Sequence, residues 1–295
     1  MIIVKLIGGL GNQMFQYAAG KSLALKLGVP LKLDLSDLQK KAEGAYTQRY
    51  FELDRFDIQA EIATADEIRA YVKNKNSKIL RVLQRQLPFV FKHVYFAEIG
   101  SKFMPGFNNL GPHTYLDGFW QSELYFENYR KEIQKAFTVV EKMPEDVKEL
   151  QSHINSVNSV AMHVRRGDYV NLPSAAAFHG TCSKAYYEKA LRKIIESKIN
   201  PEVFIFSDDL AWCKENLKFD TPTHYVNQSG HAIWDIYLMR LCNHQVIANS
   251  SFSWWAAWLN QHTNKRVFVP EYWFNNIQTN AIDILAKNWE IIPNE

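Results

Sequence analysis

Three times in its second half the chain runs a short apolar stretch into a polar turn and then towards a helix. Val160–Val164 leads into Arg165-Arg166-Gly167-Asp168, Phe204-Ile205-Phe206 into Ser207-Asp208-Asp209, and Val246-Ile247-Ala248 into Asn249-Ser250-Ser251-Phe252-Ser253. Helical stretches are read at Lys184 to Ser197, Leu210 to Leu217, Ala232 to Cys242 and Trp254 to Asn260. Further short strands are read at Tyr225-Val226 and at Arg266 to Val269. Strands alternating with helices in this way predict an open α/β sheet of parallel strands. Such sheets bind ligands outside the carboxyl ends of their strands, and those are the ends where the polar residues collect.

The first half opens on the same theme. Ile2 to Ile7 has the pattern of a buried strand, Gly8-Gly9-Leu10-Gly11-Asn12 is a glycine turn, and a helix follows from about Gln13 to Leu27, ending at Gly28. Leu31 to Leu35 supplies a second strand and closes a β-α-β unit. Beyond Ala60 the pattern weakens: helices are expected near Thr64 to Lys73 and Lys78 to Gln86, and a strand at His113 to Leu116. Glu141 to Asp146, polar and carrying Pro144, is where the chain leaves its first domain. The expected division is 1–145 and 146–295, two Rossmann-like domains, as suits 295 residues at roughly 100–200 per domain.

Composition narrows the class. Apolar residues make up 47% of the chain, enough to close a core and to exclude a disordered chain. A net charge of +3 on 34 basic and 31 acidic residues, without a block of one sign, excludes nucleic acid as an expected partner. Cys182, Cys213 and Cys242 are odd in number and widely spaced, which suggests neither a disulfide framework nor a zinc site. No apolar run reaches a membrane-spanning length, and the opening strand meets glycine too soon for a signal peptide, so a cytoplasmic location is expected. Lys73, Lys75, Lys78, Arg81, Arg85 and Lys92 interleave with Ile79, Leu80, Val82, Leu83 and Leu87. That stretch reads as a solvated helix face or as an amphipathic helix resting peripherally on an anionic membrane.

At the strand ends, chemistry follows from residue type. The planar guanidinium of Arg165 or Arg166 can donate paired hydrogen bonds to phosphate oxygens, which lysine cannot reproduce. Asp208 or Asp209 can accept from the adjacent N–H donors of a guanine edge, or can cap the following helix. Ser250, Ser251 and Ser253 at a helix start make an anion site or an ordinary cap. In the first half, Asp117-Gly118-Phe119-Trp120-Gln121-Ser122-Glu123 gathers two carboxylates, an amide and aromatics suited to a sugar. Asp117 or Glu123 is the candidate general base, while core aromatics and a helix start are the alternative.

Two short segments imitate other nucleotide motifs. Gly9-x-Gly11 with Asp34 ending the second strand is similar to a dinucleotide fingerprint for NAD, but the third glycine is replaced by Met14. Gly20-Lys21-Ser22 imitates the end of a phosphate loop, but Phe15 stands where the earlier glycine belongs.

Gly8 through Tyr17, His163 through Tyr169, and Asn249 to Trp254 together resemble glycosyltransferase family 11, the α-1,2-fucosyltransferases. The resemblance spans nearly the whole chain. It implies a GT-B type fold with two Rossmann-like domains facing a cleft, GDP-β-L-fucose as donor, inversion to an α-L-fucoside, and no cofactor or required metal. A galactose-containing oligosaccharide or lipid-linked glycan is the implied acceptor. Arg165 becomes the expected phosphate ligand and a catalytic residue, with His163, Asp168, Gly11 and Asn12 near the donor. The absence of an Asp-x-Asp metal clamp agrees with metal-independence, since arginine can neutralise the leaving diphosphate instead. The His163 to Asp168 element is similar to that of α-1,6 and protein O-fucosyltransferases as well, so a fucosyltransferase of another linkage is the first alternative. A non-catalytic glycan-binding protein on the same fold is a further one, which retention of Arg165, Asp168 and the serines argues against.

Overall fold

The computed structural model describes residues 1–41, 48–73, 75–167, 180–197, 200–275 and 282–293. It divides into two units: Met1–Val140 with Ala281–Ile284, and Glu141–Asn280 with Leu285–Glu295. The change of unit thus falls just ahead of Pro144, which sits at the N-cap of a helix beginning at Glu145.

In the first unit five parallel strands line up as β3-β2-β1-β5-β4. Their ranges are β1 Ile2–Lys5, β2 Leu31–Asp34, β3 Glu61–Ile62, β4 Val94–Ala97 and β5 Thr114–Asp117. β1 lies between β2 and β5, so its three leading apolar residues are fully buried. Helix α1, Leu10–Leu27, follows the glycine turn and stops at Gly28, whose left-handed φ of 63° lets its N–H return to the last carbonyls. α2, Ala65–Val72, starts with a Thr64–Glu67 capping box; α3, Lys78–Gln86, is capped by Ser77; α4 is Arg130–Ala136. The chain order reverses between β1 and β5.

The second unit holds six parallel strands: β6 Ser159–Val164, β7 Glu202–Ser207, β8 Thr223–Tyr225, β9 His244–Val246, β10 Val267–Pro270 and β11 Glu290–Ile292. Read from one edge they run β8-β7-β6-β9-β10-β11. That is the doubly wound dinucleotide-fold order, reversing between β6 and β9. Its helices are α5 Glu145–Ser156, α6 Lys184–Ile195, α7 Leu210–Asn216, α8 Ile233–Leu241 and α9 Ser251–Leu259. Alternation along β6 sends Val160, Met162 and Val164 into a core cluster with Tyr186, Tyr187 and Ile205, and leaves Ala161 and His163 on the other face. Trp254, Trp255 and Trp258 of α9 are also core residues, packed edge-to-face and stacked on one another. All three cysteines are free and buried.

Candidate nucleotide site

The order reversal between β6 and β9 brings two strand ends together. β6 delivers His163 and the Arg165-Arg166-Gly167 turn; β9 delivers Asn249, Ser250 and the start of α9. Asp168, the last residue of the expected arginine motif, lies outside the described residues.

Side-chain alternation separates the two arginines. Arg166 continues the face of Val164: its guanidinium stacks on Trp212 at 4.0 Å, and its Nε donates to Asp209 at 3.2 Å. Such a stacked cation contributes about 0.5–1 kcal/mol, and here it serves the fold. Arg165 shares the face of His163 and places Nη1 2.8 Å from Asp208 Oδ2. The other oxygen of Asp208 accepts the Arg166 backbone N–H at 2.8 Å. Gly167 permits this, because a Cβ there would stand 2.7 Å from Asp208 Oδ2. A single carboxylate therefore fixes both the turn and the guanidinium it presents.

Asp208 and Asp209 were the expected readers of guanine. The structure engages both within the protein: Asp208 orients Arg165, while Asp209 caps α7 through Trp212 N–H and holds Arg166. The capping alternative is the one observed for Asp209.

His163 is 5% exposed and its ring lies 5.7 Å from that of Phe252, in the first turn of α9. Burial, reinforced by the Arg165 charge, pushes its pKa down to about 3 against the opposing pull of Asp208. The imidazole is therefore neutral, and its Nδ1 is buried with no partner among the described residues. α9 has no acidic residue in its first turn and its N-cap, Ser250, makes no side-chain cap. By helix geometry the N–H groups of the first turn lack partners within the helix, so this end carries positive partial charge. Ser250 and Ser251 stand at that end. Ser253 does not serve as expected: it is fully buried and its hydroxyl donates to the Ser250 carbonyl at 3.4 Å, a contact inside the helix start. Asn249 is a strut as well, donating to the Trp273 carbonyl at 3.2 Å.

The glycine turn of the first unit is built for architecture. Gly8 takes φ 78°, and Gln13, fully buried, ties its carbonyl to that of Tyr50 through Nε2. Gln16 accepts from Ile7 N–H at 2.9 Å. The α1 N-terminus is taken by Glu52, which accepts the Leu10 N–H and whose carboxyl is raised by burial against nearby Arg49. Asn12 Oδ1, expected near the donor with Gly11, accepts Gln121 Nε2 at 2.8 Å. The NAD reading loses its acidic residue: Asp34 is buried and accepts from Tyr115 Oη at 2.5 Å rather than being presented to a ribose.

Of the two candidate bases, Glu123 is not available. Its side chain is 4% exposed and its carboxylate is bound by Arg130 at 2.7 Å. Asp117 ends β5 at the order reversal of the first sheet, partly exposed, accepting from Tyr95 Oη at 2.5 Å with Lys5 Nζ at 3.6 Å. A neighbouring carboxylate escaped the sequence reading. Glu98, just past β4, accepts the N–H groups of Phe119 and Trp120 and sets the turn after Asp117, while burial raises its pKa against those bonds. The apolar run Val94-Tyr95-Phe96 ahead of it was the available signal. Phe119 is exposed at this turn, whereas Trp120 and Phe126 are core.

Among the described residues one cluster has metal-ligand character, His153, Glu202 and His224. Glu202 opens β7, so the cluster lies at the amino ends of the strands, opposite Arg165.

Comparison with known proteins follows the geometry. The sequence profile described as "Glycosyl transferase family 11" matches residues 53–293. The chain belongs to glycosyltransferase family 11. The matched span starts after the Gly8–Tyr17 block, but an alpha-1,2-colitosyltransferase of Escherichia coli is 32% identical over 98% of this chain and 98% of its own length. A Mus musculus relative, galactoside 2-alpha-L-fucosyltransferase Sec1, is 30% identical over 50% of this chain and 43% of its length. An Arabidopsis thaliana FUT1 mutant solved with GDP superposes with TM-score 0.57 at 14% identity, covering 98% of this chain and 75% of that one. This likeness agrees with the GT-B type α/β fold. As a family 11 member the chain is a glycosyltransferase. No helix among its described residues is long and apolar enough to cross a membrane.

Proposed function

We propose that this enzyme transfers L-fucose from GDP-β-L-fucose to the 2-hydroxyl of a galactose-type acceptor, with inversion and without a metal ion. The observation that carries the reading is the convergence, at the order reversal of the second sheet, of the Arg165 guanidinium with the N-terminus of α9, where Ser250 makes no side-chain cap. Both donate to anions, and neither needs a cation as intermediary.

In an inverting displacement the acceptor oxygen bonds to C1 of the sugar opposite the diphosphate. The C1–O bond breaks, and its electron pair departs on the β-phosphate oxygen. Donors already held in place stabilise that growing charge without reorganising, which is the role proposed for Arg165, Ser250, Ser251 and the α9 backbone. Asp208 and Asp209 act one step back, as positioning residues for the two arginines. Neutral His163 adds no repulsion to Arg165 and leaves Nδ1 for a donor group. The proton lost by the acceptor hydroxyl goes to a carboxylate, for which Asp117 is the candidate.

Support for the sugar and the linkage comes from the named relatives. One of them, the E. coli colitosyltransferase, favours a second donor. L-Colitose is L-fucose without its 3-hydroxyl, so either sugar would leave the diphosphate grip unchanged. The test is to supply each GDP-sugar with a galactose-terminated disaccharide in chelator and to identify the product by NMR. An α-fucosyl group on galactose O2 is expected. A different linkage, or no transfer from GDP-fucose, overturns the reading; transfer from the 3-deoxy donor alone moves it to the second sugar.

A further inference from the structure

Helix α3 is inside out. Its fully enclosed side chain is a glutamine, Gln84, whose amide donates to the His93 carbonyl at 3.1 Å and accepts the Tyr95 N–H at 3.3 Å. This amide ties the helix to the start of β4. The apolar residues turn the other way: Ile79 is 75% exposed, Val82 53%, Leu83 42% and Leu87 44%, and past the helix Phe89 is 81% and Val90 64% exposed. At 100° per residue Ile79, Val82, Leu83 and Leu87 cover an outward arc of about 140°. Lys78, Arg81 and Arg85 border that arc, and Lys73, Lys75 and Lys92 stand in the flanking turns. No Asp or Glu occurs between Glu67 and Glu98. Among the described residues none of these six cations is ion-paired.

We propose that this face docks the protein on an anionic lipid surface. An apolar patch of this kind requires a cover, and the charge around it selects which one. A second copy of the chain meeting the same patch across a two-fold axis would set these unpaired cations against their own image. Anionic headgroups neutralise them, and the boundary beneath accepts Phe89, Val90 and the outward face of α3, as in helices that lie in a membrane interface. Gln84 fixes the helix so that this face stays outward in the folded protein. The inference does not depend on the donor sugar or on Arg165, since none of these residues belongs to the nucleotide site.

The test is co-sedimentation of the full chain with vesicles of phosphatidylcholine alone and of phosphatidylcholine mixed with phosphatidylglycerol. Binding is expected only to the second, and salt should release it. Ile79→Ser with Phe89→Ser and Val90→Ser, and separately Lys75→Glu with Lys78→Glu, should each weaken it about tenfold or more. Both variants should keep the parent melting temperature and the parent rate on a soluble acceptor. An environment-sensitive dye on Phe89→Cys should shift to the blue with the anionic vesicles. Absence of binding, equal binding to both vesicles, equal binding by the variants, or an unshifted dye overturns the proposal. So does a dimer in solution that the serine variant dissolves.

Discussion

At the scale of single residues, the two adjacent arginines have separate duties. Arg165→Lys should be nearly as damaging as Arg165→Ala, because a lysine cannot reproduce the bidentate fork on a diphosphate. Arg166→Ala should instead lower the melting temperature, having lost Trp212 and Asp209, with a smaller effect on turnover. Steady-state kinetics beside thermal melts separate the two; equal kinetic losses with equal melting shifts would contradict the division. Asp208→Asn should weaken donor binding while leaving the preference for guanine over uracil nucleotides unchanged. Carboxylates in the first unit offer a second contrast. Glu123→Gln breaks a buried carboxylate's pair with half-exposed Arg130 and should cost about 1–2 kcal/mol of stability, with kcat close to the parent. Asp117→Asn should melt normally and lose about 10²–10⁴ in kcat if it takes the acceptor proton. His163 makes stability depend on pH. Its folded pKa of about 3 lies below its ordinary 6.5, so as pH falls the unfolded chain takes the proton first. Its share of stability is full above about pH 6.5 and declines by up to about 1.4 kcal/mol per pH unit between there and its folded pKa. Between pH 7.5 and 5, His163→Asn should therefore lose about 2 kcal/mol less than the parent in denaturant titrations; equal losses would remove this role.

At the scale of elements, legibility followed periodicity. The strand–turn–helix alternation of the second half was plain because β6 and β7 are apolar runs ended by charged or hydroxyl residues. β4 was missed because its neighbours in sequence are basic helix and turn residues, and its edge position needs no long apolar run. β3 is two exposed residues, and β11 is only three residues long, too short to show a period. The arginine turn was read correctly as a strand end, but the partner of Arg165 proved to be Asp208, brought from 43 residues away by β6–β7 pairing. No spacing rule reports such a contact. Conversely Ser253 and Glu123 have the residue types of a site, and only burial shows them to be internal. Nor did the sequence reveal that Glu52 reaches the α1 helix end from a distant loop. Gly8→Ala tests that turn: φ is 78°, and the new Cβ would lie 2.6 Å from Asn12 Nδ2. It should destabilise by about 1–2 kcal/mol without altering GDP affinity; a parent-like melt would contradict the geometry.

At the scale of the molecule, two parallel sheets each reverse their strand order once, and each reversal gathers a different chemistry. The second sheet gathers cationic and N–H donors; the first gathers Asp117, with Glu98 holding the turn beside it. Family 11 membership makes the chain a glycosyltransferase, and in the mechanism proposed for it protein charge alone grips the donor diphosphate. Calorimetry of GDP binding in excess EDTA, on the parent and on Arg165→Ala, tests it most directly. GDP should bind the parent with chelator present, and Arg165→Ala, melting as the parent does, should bind about ten- to a hundredfold more weakly. GDP binding that appears only after manganese is added, or an Arg165→Ala variant that binds GDP as tightly as the parent, would contradict it.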